Sequence, residues 1–188
     1  MKHYLHIGLG RMFNLDCFKK QERSYQLERM SPFINDPNSK IWANDNCYYS
    51  EKELEQIKNS DFIDEFIHES VCTDWPNAPL FDNWECCSVM EHVKADEAQL
   101  FIEKLHSKVA KRSEGWVHID LSDHYGGTEK LSDNEFAAVY CEKNDNKSPM
   151  YLNRIGADQW LAYFSHFFTF RLTSIDELSM KLHEVRPR

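Results

Sequence analysis

Glycine and proline are scarce in this sequence, six of each in 188 residues, which excludes a linker-rich or disordered chain. Long apolar runs are missing as well. No stretch approaches the roughly 20 consecutive apolar residues that span a bilayer, so no membrane partner is expected. Met1 to Ile7 goes straight into a strand-like run and lacks a signal peptide's long apolar segment. None of the six cysteines (Cys17, Cys47, Cys72, Cys86, Cys87 and Cys141) forms a C-x-x-C pair, which argues against a zinc ribbon or a dithiol redox motif. Cys86 and Cys87 lie in an apolar run, where thiols behave as small hydrophobes, and the expected home is the reducing cytoplasm. Positive charge is short too. With 22 Lys and Arg against 31 Asp and Glu, the net charge of −9 argues against nucleic acid as a partner. The basic tail Lys181, Arg186 and Arg188 reads as a solvated end.

What remains is ordinary soluble composition, 41% hydrophobic and 28% charged, in a length that suits one core and one domain over 1–188. The pattern alternates strand and helix. Leu5 to Gly10 reads as a first strand entering a glycine turn, and Asp16 to Met30 as a helix. Lys40 to Ala43 forms a second strand, and Ser50 with Glu53 makes a capping box. Phe62 to Glu69, Phe81 to Cys87 and Trp116 to Leu121 supply three more strands. Between the last two, Ala95 to Lys111 carries Ala98, Phe101, Ile102, Leu105 and Val109 on one helical face. Ser132 with Glu135 caps a short helix, Ala157 to Phe167 is another, and Phe168 to Leu172 is a late strand. Ser174 with Glu177 predicts a terminal helix. The aromatic cluster Trp160, Tyr163, Phe164, Phe167, Phe168 and Phe170 has core spacing. This order predicts an α/β, Rossmann-like domain with a mostly parallel central sheet and helices on both faces.

Such sheets bind ligands at the carboxyl ends of their strands, where strand order reverses. Gly8 and Gly10 follow the first strand, where glycine lets the backbone turn sharply and approach a cofactor closely. A plain strand-to-helix turn uses glycine too. Asp45, ending the second strand, could accept both hydroxyls of a ribose. Asp16 is its rival, but only five residues separate it from Gly10, too few for a parallel crossover of about a dozen.

The segment Phe81-Asp82-Asn83-Trp84-Glu85-Cys86-Cys87-Ser88-Val89-Met90-Glu91-His92-Val93 resembles the fourth strand of class I S-adenosylmethionine-dependent methyltransferases. Trp116-Val117-His118-Ile119-Asp120-Leu121-Ser122-Asp123-His124-Tyr125 is similar to their fifth strand, and Tyr151-Leu152-Asn153-Arg154 to a segment that follows it in a subset of the family. The resemblance covers about residues 81–170 and implies S-adenosylmethionine as cofactor. It would put Gly8 and Gly10 at the methionine part, Asp45 at the ribose and Glu69 or Ser70 near the adenine. Ser88 would lie beside the cofactor, with Glu91 and His92 just beyond, and Glu91 is counted with the cofactor-binding set. The chain departs from the family at His6, where an acidic residue is usual, and at Met12, where a third glycine is often found. The family's last antiparallel strand would be missing or reduced to Leu182 to Val185.

His92, His118, Asp120, Asp123 and His124 would converge beyond strands four and five, a density that suits acid-base work. His124 or Asp123 would take the acceptor's proton, with His92 nearby. A structural role for Asp120 and His124 is the rival. The same groups could ligate a metal, but no helical His-x-x-x-His pair supports one, and no metal is expected. The leading expectation is a methyltransferase acting on a small molecule or saccharide. The alternative is a methyltransferase-like protein without catalysis that binds a partner. A nicotinamide dehydrogenase is disfavoured, because Phe13 stands where Gly-x-Gly-x-x-Gly requires its last glycine.

Overall fold

The computed structural model describes residues 1–8, 32–33, 35–46, 49–60, 63–121, 153, 155–176 and 179–188. Their strands are β1 (Lys2–Ile7), β2 (Ser39–Asn44), β3 (Glu65–Ile67), β4 (Phe81–Cys87), β5 (Val109–Asp120), β6 (Phe168–Ile175) and β7 (Ser179–Pro187). The helices among them are α1 (Glu51–Lys58), α2 (Ala98–Lys108) and α3 (Ala157–Phe167). All seven strands form one sheet in the order β3-β2-β1-β4-β5-β7-β6. The first five are parallel. β7 runs antiparallel to both β5 and β6, so β6 points the same way as β5. The expected mostly parallel α/β sheet is present.

Its two faces are built by alternation. Leu5, Ile7, Trp84, Cys86, Val117 and Ile119 face a large core closed by Phe101, Ile102 and Leu105 of α2 and by Trp160 and Phe164 of α3. On the opposite face, Ile57 of α1 packs against Ala43 and Tyr49. The Ser50–Glu53 capping box starts α1 as its sequence predicts, with both reciprocal bonds made. Trp160, Phe164 and Phe168 are fully buried, so the aromatic cluster is core.

Some boundaries differ from expectation. β5 begins at Val109 rather than Trp116, directly after α2, and its stretch Lys111 to Glu114 is strand, exposed except at the buried Ser113. The predicted terminal helix is wrong. Residues 179–187 are strand, and Asp176 closes a β-hairpin, its N–H donating to the Ser179 carbonyl (3.1 Å) and its Oδ1 accepting from the Ser179 N–H (2.8 Å). Met180 and Leu182 then alternate into the core beside Ile119 and Val117. The last antiparallel strand is therefore complete, not reduced to Leu182 to Val185. The helices expected over Asp16 to Met30 and after Ser132 lie outside the described residues.

Gly115 on β5 lies against the Trp84 indole, and a Cβ there would fall inside the ring. Gly115→Ala should destabilise the protein by about 1–3 kcal/mol through overpacking, read as a lowered midpoint in urea unfolding.

Candidate functional site

Strand order reverses between β1 and β4: the chain steps outward from β1 to β3, then returns to β4 on the other side of β1. Parallel pairing brings the ends of β1, β2, β4 and β5 to one edge, and the residues that follow them meet there. Gly8 has φ +94, and its N–H donates to the Asn44 carbonyl (2.9 Å). A Cβ at Gly8 would fall inside the Val89 side chain, so this glycine is required by the close approach of the turn after β4. Asp45 is buried, and its N–H donates to the Ile67 carbonyl (3.2 Å). The Asn44 amide donates to the carbonyls of Ile67 (2.9 Å) and Glu69 (2.7 Å), tying β2 to the segment after β3. Glu69 and Ser70 are engaged in that segment. The Glu69 carboxylate accepts from the Thr73 hydroxyl (3.1 Å), and Ser70 Oγ accepts from the Cys72 N–H (3.1 Å).

Ser88 occupies the left-handed region at φ 53, uncommon for a residue other than glycine. His118 holds it there. The Ser88 N–H donates to the His118 carbonyl (3.0 Å), and its Oγ lies 3.1 Å from His118 Nδ1. Cys87 Sγ lies 3.8 Å from the same nitrogen, and the ring stacks on Trp116 with centroids 6.0 Å apart. His118 counted as one of a convergent group in the sequence; its bond to Ser88 depends on β4–β5 register, which no local pattern encodes.

Beyond Ser88, Met90–His92 form one 3-10 turn. Asn153 pins that turn: its Nδ2 donates to the carbonyls of Met90 and Val93 (2.7 Å each), and its N–H to the carbonyl of Glu91 (2.7 Å). The asparagine of the Tyr-x-Asn-Arg segment is thus a staple. His92 donates its N–H to the Val89 carbonyl (2.9 Å), and its ring is half-buried. Glu91 is 2% exposed, and neither carboxylate oxygen has a hydrogen-bond partner among the described residues. Burial pushes its carboxyl up to about 8, and the neighbouring Asp120 and Cys87 add to the rise. The nearby amides of Glu91 itself and of Asp120 offset only part of this.

His6 and Glu85 are paired across β1 and β4, and His6 Nδ1 lies 2.6 Å from Glu85 Oε1, with both side chains buried.

Of the predicted site residues, Gly8, Asp45, Ser88, Glu91 and His92 come to one edge of the sheet, with Glu69 and Ser70 at the end of β3. Gly10, Asp16, Asp123 and His124 lie outside the described residues. Among the described residues no cluster of three or more His, Cys, Asp and Glu is arranged to hold a metal. No helix among them is long and apolar enough to cross a membrane.

No protein-family model and no curated protein matches this sequence. Solved structures do match in fold. An O-methyltransferase family protein from Burkholderia thailandensis superposes with a TM-score of 0.59 at 9% identity, over 99% of this chain and 51% of that one. A 1,6-didemethyltoxoflavin-N1-methyltransferase from the same organism, solved with 1,6-didemethyltoxoflavin and S-adenosylhomocysteine, gives 0.58 at 12% identity, over 99% and 71%. The N-methyltransferase NodS from Bradyrhizobium japonicum WM9, in complex with S-adenosylhomocysteine, gives 0.56 at 12% identity, over 100% and 79%. This chain spans about half the length of the first. The fold is the one that these methyltransferase structures share. At such identities the likeness is one of architecture, and chemistry has to be argued from the site.

A carboxyl raised by burial has a defined signature. Its folded value of about 8 lies above the ordinary 4.5, so the folded state holds an extra proton between them. Stability from this group is therefore greatest below pH 4.5, falls as pH rises through that window and levels off above about 8. Glu91→Gln should remove this fall. Thermal unfolding at pH 9 should show the variant more stable than the parent, with little difference at pH 5.

Proposed function

We propose that this chain is an S-adenosylmethionine-dependent methyltransferase whose acceptor is a small molecule or saccharide. The observation that carries it is the orphaned, buried Glu91 carboxyl at the same sheet edge as the Gly8 turn and the buried Asp45. A buried polar group without a partner calls for a ligand or a chemical role. The donor set fits the cofactor: a glycine turn after β1, a carboxylate after β2 for two ribose hydroxyls, and acidic groups beyond β4 toward a cationic sulfur. Gly8 and Gly10 would border the methionine part, Asp45 the ribose, Glu69 or Ser70 the adenine, and Ser88 and Glu91 the sulfur end. When bound, the cofactor supplies an activated methyl group.

The protein's own tasks are then orientation and proton removal. Ser88, locked to His118, fixes the wall between cofactor and acceptor. His124 or Asp123 would receive the acceptor's proton, with His92 at the rim. The net charge of −9 favours small acceptors over nucleic acid.

Thermal shift or calorimetry with S-adenosylhomocysteine tests the assignment. Ligand at 100 times its dissociation constant should stabilise the fold by about 2.7 kcal/mol. No shift at millimolar ligand would remove the proposal. Gly10→Val should abolish binding; Gly8 is unsuitable, since its substitution strains the fold itself. His124→Ala should spare binding and lower turnover, whereas lost binding would mean a structural role.

A further inference from the structure

Two residues other than glycine have positive φ among the described residues, Ser88 and Glu184. Glu184 sits where β7 shifts register against β5, and a bulge accommodates such a conformation. Ser88 has no bulge to account for it. It directly follows β4 at the reversal of strand order, and its neighbours Cys87 and Val89 are the residues that crowd Gly8. Backbone strain held at such a place points to function. Ser88 is exposed there, and its Oγ lies 3.1 Å from His118 Nδ1. The Cys87 thiol approaches the same nitrogen (3.8 Å). Two groups that each carry a hydrogen thus converge on one imidazole nitrogen, whose lone pair can receive it. Trp116 stacks on the ring and limits its rotation.

We infer that Ser88 and His118 act as a couple, in which the imidazole draws the hydroxyl proton to Nδ1 and makes Ser88 Oγ a base toward what binds in the crevice. Its part in methyl transfer rests on the function proposed above. There, a bond forms between the acceptor and the methyl carbon as the sulfur–carbon bond breaks, whose electron pair stays on sulfur. The acceptor's proton passes to Ser88 Oγ and the Ser88 proton to His118 Nδ1, from which it leaves to solvent. His118 acts only through Ser88 and is a positioning residue. The titratable groups around its ring, among the described residues, are Cys87 of β4, Lys181 opposite it on β7, Asp120 farther along β5, and His183 beyond Trp116.

The test needs no methyl acceptor. The full chain is treated with diisopropyl fluorophosphate between about pH 5 and pH 9, and adducts are located by mass spectrometry. In that reaction an oxygen–phosphorus bond forms at Ser88, fluoride leaves with the electron pair of the phosphorus–fluorine bond, and the hydroxyl proton goes to His118. An adduct should form on Ser88 at a rate that rises as the imidazole loses its proton. H118N, whose amide oxygen can still accept from the Ser88 hydroxyl but cannot take its proton, should react about a hundredfold more slowly and without that pH dependence. No adduct on Ser88, a rate that ignores pH, or equal slowing in H118N and H124A would each overturn the inference. If H118N does not fold, S88G, whose backbone suits the left-handed region, serves as the blank and the parent's pH profile decides. S-adenosylhomocysteine should shield Ser88 from the reagent. Labelling that this ligand leaves unchanged, with no binding by calorimetry, would instead bring down the cofactor assignment and the part in methyl transfer, while the Ser88–His118 couple stands.

Discussion

The site depends on the seam between β1 and β4. Two parallel strands meet there whose connections leave in opposite directions, and such a reversal opens a crevice without disturbing the sheet. Two contacts fix the seam. Inside the sheet, His6 and Glu85 pair at 2.6 Å with no route to water. At the edge, the Gly8 turn is pressed so closely on Val89 that only glycine fits. Breaking one partner of such a buried pair leaves an uncompensated polar group in the core, which is why these positions are coupled so tightly to the fold.

From that seam the crevice is assembled by backbone more than by side chains. Ser88 is held in a left-handed conformation costing of order 1 kcal/mol, and two bonds to His118 maintain it. Asn153, distant in sequence, fixes the following turn through three carbonyl contacts. The result is a rigid first turn carrying an unsatisfied acid. Unsatisfied buried groups are disfavoured in a folded protein, and their persistence marks places where a ligand can complete the structure.

Much of this was legible in the residues. Strand-like runs alternating with helical segments gave the sheet, the helical face of Ala98 to Leu105 gave α2, and Ser50 with Glu53 gave the start of α1. The hairpin after β6 was misread because Ser-x-x-Glu at Ser174 has the form of a helix cap, while the residues after it pair back on β6 and against β5, where Met180 and Leu182 reach the core. At the site, Gly8 and Asp45 could be placed from the sequence, since each directly follows a strand. The His6–Glu85 pair, the Ser88–His118 lock and the Asn153 staple could not. Each joins residues far apart in sequence through strand register or loop docking, and none appears in a local pattern.

The position of β7 also bears on the order in which the sheet can assemble. It follows β6 in the chain yet lies between β5 and β6, so β6 has no neighbour in the sheet until β7 has been made and inserted. During synthesis, the β5 edge with its buried Val117 and Ile119 therefore stays open until β7, the last of these strands in chain order, has emerged. Closure of the core by Met180, Leu182 and Val185 thus waits on that strand.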